Sequence, residues 1–137
     1  MSEPFIDADV IVRLLTGDEP RKQERAAALF ERLERGDLRL RTPVTTIADV
    51  VYVLSSPRLY ALPRDQVADV LRALVRIPGF LVDHRAAVLG ALDLFAEIPL
   101  DFGDALIASS MALAGETVVY SYDRDFDRLP ALARQEP

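Results

Sequence analysis

Pro4-Phe5-Ile6-Asp7-Ala8-Asp9-Val10-Ile11-Val12-Arg13-Leu14-Leu15 passes from strand to helix with no loop between them, and an aspartate stands at the junction. Phe5 and Ile6 read as a short strand. Val10, Ile11, Leu14 and Leu15 then recur at helical spacing, until Gly17 stops the helix. The same alternation continues outward. Pro20 starts a second helix with Ala26, Ala27, Leu29, Phe30 and Leu33 on its buried side. Gly36-Asp37 is a turn, and Leu38 to Arg41 alternates apolar and basic residues as an exposed strand does.

A third helix is expected from Val44 to about Ser55, ended by Ser56-Pro57. Pro63-Arg64-Asp65 opens a fourth, with Val67, Val70, Leu71, Leu74 and Val75 at helical spacing, closed by Pro78-Gly79. Phe80-Leu81-Val82 reads as a strand and His84 to Ile98 as a fifth helix. Pro99 separates it from a sixth, from about Asp101 to Ala114, which Gly115 ends. Thr117 to Tyr120 reads as a short buried strand. Strands alternating with helices imply an α/β fold, a parallel sheet with helices on both faces.

The chain has 137 residues, read as one domain spanning 1–137. Half the residues are hydrophobic and 28% charged, which excludes a disordered chain. A mean hydropathy of +0.13 is high for so charged a protein. It fits either apolar surface kept for a partner or twin subunit, or a core rich in leucine and alanine. With no cysteine, disulfides and zinc–thiolate sites are excluded; with His84 the single histidine, so is a histidine-pair metal site. His84 follows Asp83 and is assigned to capping the fifth helix. Met1-Ser2-Glu3-Pro4 has no basic signal region and no apolar run reaches the roughly 18 residues of a membrane span, so the expected location is the cytoplasm.

A net charge of −6 is unusual for a nucleic-acid protein. Yet the basic side chains are almost all arginine, with Lys22 the only lysine, and arginine's planar fork suits phosphate. Between residues 21 and 35, Arg21, Arg25, Arg32 and Arg35 interleave with Glu24, Glu31 and Glu34, which reads as a salt-bridged helix face.

Four aspartates, Asp7, Asp49, Asp104 and Asp123, each lie where a strand ends or within or at the start of a helix. In a parallel α/β sheet the strand carboxyl ends and the helix N-termini share one edge, which gathers all four. Asp7 alone is an ordinary helix cap, Asp104 belongs to a capping-box-like Asp101-Phe102-Gly103-Asp104, and Asp123 is ordinary turn chemistry. Asp49 differs, because Val44 to Leu54 is apolar on most sides; its carboxylate is expected to be buried, where a charge needs a partner, in preference to an exposed stripe with Thr45, Thr46 and Tyr52. Gathered carboxylates repel, and Mg²⁺ or Mn²⁺ with their preference for oxygen ligands relieves that repulsion. The expected activity is that of a metal-dependent nuclease, which needs no histidine, cysteine or serine nucleophile.

Four segments resemble the PIN domain family, specifically the VapC-type toxin ribonucleases of prokaryotic toxin–antitoxin pairs. They are Phe5-Ile6-Asp7-Ala8-Asp9-Val10, Ile47-Ala48-Asp49-Val50-Val51-Tyr52, Phe102-Gly103-Asp104-Ala105-Leu106-Ile107-Ala108 and Val119-Tyr120-Ser121-Tyr122-Asp123-Arg124-Asp125-Phe126. The resemblance implies a three-layer α/β/α domain with a short central parallel sheet of four or five strands. It also implies a Mg²⁺- or Mn²⁺-dependent endoribonuclease, a homodimer, and inhibition by a small antitoxin covering the active site. On this pattern Asp7, Asp49, Asp104 and Asp123 are the catalytic, metal-binding acids, and Ser121 is a hydroxyl partner for metal water or phosphate. Two positions depart from it. Asp49 replaces the usual glutamate, with a reach shorter by roughly 1.5 Å, and Asp9 replaces a frequent asparagine. For RNA itself, Arg13, Arg41 and Arg124 are the candidate contacts, each near a strand-end acid.

Asp7-Ala8-Asp9 after a strand also resembles the haloacid-dehalogenase phosphatases, and acidic strand ends resemble response-regulator receiver domains. Both need a late lysine near the phosphate, and Lys22 is early. A PIN-like domain that binds RNA or a protein without catalysis is the remaining alternative.

Overall fold

In a computed structural model, which describes residues 2–137, β1 (Leu40–Thr42) lies between two parallel neighbours. On one side it pairs with β2 (Phe80–Val82), in the register Leu40↔Phe80, Arg41↔Leu81, Thr42↔Val82. On the other it meets the segment ahead of the first helix: Ile6 N–H donates to Arg41 O at 3.0 Å and Arg41 N–H to Pro4 O at 2.8 Å. A second parallel ladder joins β3 (Val118–Tyr120) to β4 (Ala133–Gln135). The fold is thus mixed α/β, with short parallel ladders and six helices among the described residues.

The helices are α1 (Ala8–Leu15), α2 (Pro20–Glu34), α3 (Val44–Ser55), α4 (Arg64–Val75), α5 (Arg85–Glu97) and α6 (Phe102–Ala114). Their ends follow local chemistry. Asp7 caps α1, proline stands at the first position of α2, and Gly115 ends α6 in the left-handed conformation at φ 73°. His84 occupies the exposed cap position of α5 expected for it, at φ 55° and without a side-chain cap hydrogen bond.

Ile11, Phe30, Leu33, Ile47, Val50, Leu54, Leu71, Phe80 and Leu92 share one buried core. Phe30 meets Phe80 edge to face at 5.7 Å. Two strand expectations are corrected. β1 is buried at Leu40 and Thr42 rather than exposed, because the face they share turns to the core while Arg41 on the other face stays partly open. β3 is exposed at Val118 and Tyr120, because its ladder carries β4 alone. β4 and the 3₁₀ helix Arg124–Arg128 were not legible, being too short to show a period.

α5 and α6 approach closely at Gly90, where an added Cβ would fall on the buried Ser109 side chain. Gly90→Ala is expected to cost about 1–3 kcal/mol through overpacking. A melting temperature equal to the parent's would show that the two helices do not meet there.

Candidate metal centre

Asp104 is set by the start of α6. Asp101 is the cap residue, and its Oδ1 accepts from the Asp104 N–H at 2.7 Å. This puts Asp104 in the first helical turn, half-buried, with Oδ2 buried and without a hydrogen-bond partner among the described residues. Further along, β3 ends at Tyr120 and the chain turns into the 3₁₀ helix at Arg124. The Asp123 N–H donates to Ser121 Oγ at 2.9 Å, and the Asp123 carboxylate accepts from the Asp125 N–H at 2.9 Å.

Apolar anchors hold that turn against α6. Phe126 is 2% exposed, and Leu129 forms a small buried cluster with Leu100 and Ala108 of the α6 region. Arg128 Nη1 also donates to Pro99 O at 2.9 Å. As a result one carboxylate oxygen from each of Asp104, Asp123 and Asp125 lies within 4.8 Å of the others.

The electrostatic consequence falls on Asp104. Burial, then the negative charges of Asp101, Asp123 and Asp125, push its carboxyl up to about 6 from an ordinary 3.8. Asp123 also favours the protonated form by accepting its hydrogen bond. Once ionised, Oδ2 has no donor. An acceptor-only, oxygen-only cluster with an orphaned buried oxygen fits a hard divalent cation such as Mg²⁺ or Mn²⁺.

The other expected residues sit differently. Asp7 is exposed, its Oδ1 accepts from its neighbour's N–H (Ala8, 2.7 Å), and it lies outside the three-carboxylate group. Asp49 is also outside the group, and it is exposed rather than buried. It shares an outward stripe of α3 with Thr45 and Tyr52, while Thr46, Ile47, Val50 and Val51 take the inward positions. α3 packs against both α1 and α6, so Asp49 rides on the helix between those carrying Asp7 and Asp104.

Asp125 was missed by sequence reasoning; the available signal was its spacing, two residues after Asp123 and directly before the buried Phe126. Ser121 orders the Asp123 turn. Among the three arginines, Arg13 is paired with Asp18 at 2.8 Å and Glu19 at 2.9 Å, and Arg41 with Glu3 at 2.9 Å. Arg124 is exposed and has no ion pair among the described residues. The expected salt-bridged face of α2 is not formed: Arg21, Arg25 and Arg32 make no ion pairs there, and Arg35 pairs with Asp37 instead.

Among the described residues no helix is long and apolar enough to cross a membrane. Comparison with family models matches residues 5–132 to the PIN domain. No curated protein matches the chain.

The raised Asp104 value has a testable sign. The folded chain holds an extra proton between pH 3.8 and about 6, so metal-free stability carries a penalty absent below about pH 4 and complete above pH 6. In EDTA, the melting temperature of Asp104→Asn relative to the parent should therefore rise from pH 4 to pH 7, and Mn²⁺ should reverse the order by stabilising the parent alone. A flat difference across that range, unchanged by Mn²⁺, would remove Asp104 from the metal centre.

Proposed function

The chain belongs to the PIN domain family, a family of nucleases, and from that premise we propose that it is a Mg²⁺- or Mn²⁺-dependent endoribonuclease acting as the toxin of a toxin–antitoxin pair. The observation that carries the metal-dependent reading is the clustering of one carboxylate oxygen each from Asp104, Asp123 and Asp125, together with a buried Asp104 Oδ2 that has no partner among the described residues. These three residues would hold the cation, with Asp7 and Asp49 as further acids for the site. Bound Mg²⁺ or Mn²⁺ supplies charge neutralisation and a water acidic enough to act as nucleophile near neutral pH.

The chain's own residues do the rest. Asp101 keeps Asp104 in the first turn of α6, and the Ser121 hydroxyl keeps the Asp123 turn closed while retaining a proton to donate to a phosphate oxygen. Arg124, unpaired beside Asp123 and Asp125, is the available cation for a backbone phosphate. Arg13 and Arg41 would have to leave carboxylate partners to do the same, which makes them weaker candidates.

A homodimer and a small antitoxin partner complete the proposal, in the cytoplasm. Apolar surface supports such contacts: Ile107, Leu113, Val118 and Tyr120 are exposed, and a groove on α6 is lined by Leu106, Ile107, Met111 and Ala114. The second reading, binding without catalysis, is favoured by the position of Asp7 and Asp49 outside the three-carboxylate group.

Cleavage separates the two. Purified protein incubated with a cellular RNA pool should cut in Mg²⁺ or Mn²⁺ and not in EDTA. Asp104→Asn should lose about a hundredfold or more, beyond the usual effect of an outer-shell partner. Folded, metal-loaded protein that leaves the RNA intact would establish the non-catalytic reading.

A further inference from the structure

A pocket of about 390 Å³ opens between α3 and the start of α6. Its lining includes Tyr52, Ser55, Arg64, Phe95, Asp101 and Phe102, and it reaches Gly103, the residue before Asp104. That volume lies within the range of small-ligand sites. Its polar groups are unusual because one of each sign retains unused hydrogen-bonding capacity.

Arg64 is anchored firmly. Its guanidinium stacks over the Phe95 ring at 3.7 Å, Nε donates to Phe95 O at 2.8 Å, and Nη2 donates to Ile98 O at 2.9 Å and to Leu100 O. Nη1 has no partner among the described residues, so its donors remain available. Asp101 is a complementary case: Oδ1 is engaged by the Asp104 N–H, while Oδ2 receives no hydrogen bond among the described residues. Tyr52, on the pocket wall, is 70% exposed, a large aromatic face with little protein over it.

A fixed cationic donor, a carboxylate acceptor and an open aromatic ring form the set that reads an unpaired base by stacking and by its edge. The edge chemistry selects among bases. A carboxylate only accepts, and guanine alone presents two adjacent donors, N1–H and N2–H, beside an acceptor, O6. Adenine and cytosine place an acceptor next to their amino group, and uracil has acceptors on both sides of N3–H. A free anion is disfavoured, since Asp101 repels it.

We propose that this pocket is a guanine subsite of the RNA substrate, with Tyr52 stacking on the base, Asp101 accepting from its N1–H and N2–H edge, and Arg64 Nη1 donating to O6. The inference rests on the nuclease reading for its substrate class, and places a guanine beside the phosphodiester held at Asp104.

The test uses full-length protein and short fluorescent single-stranded RNAs, identical except for one position carrying guanine, inosine or adenine. Binding is read by fluorescence anisotropy with Ca²⁺ in place of Mg²⁺. The guanine RNA should bind about tenfold tighter than the inosine RNA, which lacks the N2 amine, and tighter still than the adenine RNA. Asp101→Asn keeps an oxygen to cap α6 but replaces the second acceptor by a donor, and should erase the guanine preference. Tyr52→Ala should weaken the guanine RNA, and Tyr52→Phe should restore it. Equal binding of the three RNAs by the parent protein overturns the subsite without any variant. Guanine-selective binding by a protein that cuts no RNA supports the subsite while refuting the nuclease, and cleavage indifferent to guanine does the reverse.

Discussion

One carboxylate oxygen from each of Asp104, Asp123 and Asp125 lies within 4.8 Å of the others, and like charges that close repel. Asp104 bears most of this constraint, because it is also partly buried and its Oδ2 has no donor. The remaining structure around it works to maintain the arrangement. Asp101 fixes the start of α6, Leu129 packs with Leu100 and Ala108, and Arg128 ties the following turn to Pro99. Hydrophobic burial and capping each contribute on the order of a kcal/mol or more, enough to impose a repulsive contact of similar size. The fold thus concentrates this repulsion at one edge, and the proposed cation would relieve it.

The same elements place a neutralising side chain next to the cluster without spending it internally. Most arginines on this acidic chain are bound by carboxylates or carbonyls: Arg13 by Asp18 and Glu19, Arg41 by Glu3, Arg134 by Asp127 and Glu136, Arg64 by three backbone oxygens. Arg124 stays unpaired beside the acids. A net charge of −6 therefore says little about the local field at the site, where the placing of each charge matters more than the sum.

Helix positions were largely legible in the sequence. Val44 to Ser55 was expected and found as α3, and Pro20, Pro63 and Gly115 marked helix ends because proline and glycine act through their own backbone geometry. Strand burial was less legible. Leu38 to Arg41 alternates like an exposed strand, yet β1 is central; Thr117 to Tyr120 is apolar, yet β3 has an open side. Three-residue strands carry too little pattern to report their neighbours. Asp49 shows the same limit on a helix: the apolar surrounding sequence favoured burial, yet the exposed alternative holds, on a narrow stripe through Thr45, Asp49 and Tyr52 that excludes Thr46.

From sequence alone came the α/β alternation, the aspartates at element junctions, and a family pattern spread over nearly the whole chain. These are local properties, set by a residue's own dihedral preferences and by the period of its neighbours. Which acids meet was decided by tertiary structure. Asp104 joins Asp123 and Asp125, while Asp7 and Asp49 stay outside the group, because a contact across some twenty residues depends on where Phe126 and Leu129 dock rather than on any local preference. Exposure of Asp49 and the free state of Arg124 were decided there too, since both depend on which surfaces the packed helices leave open.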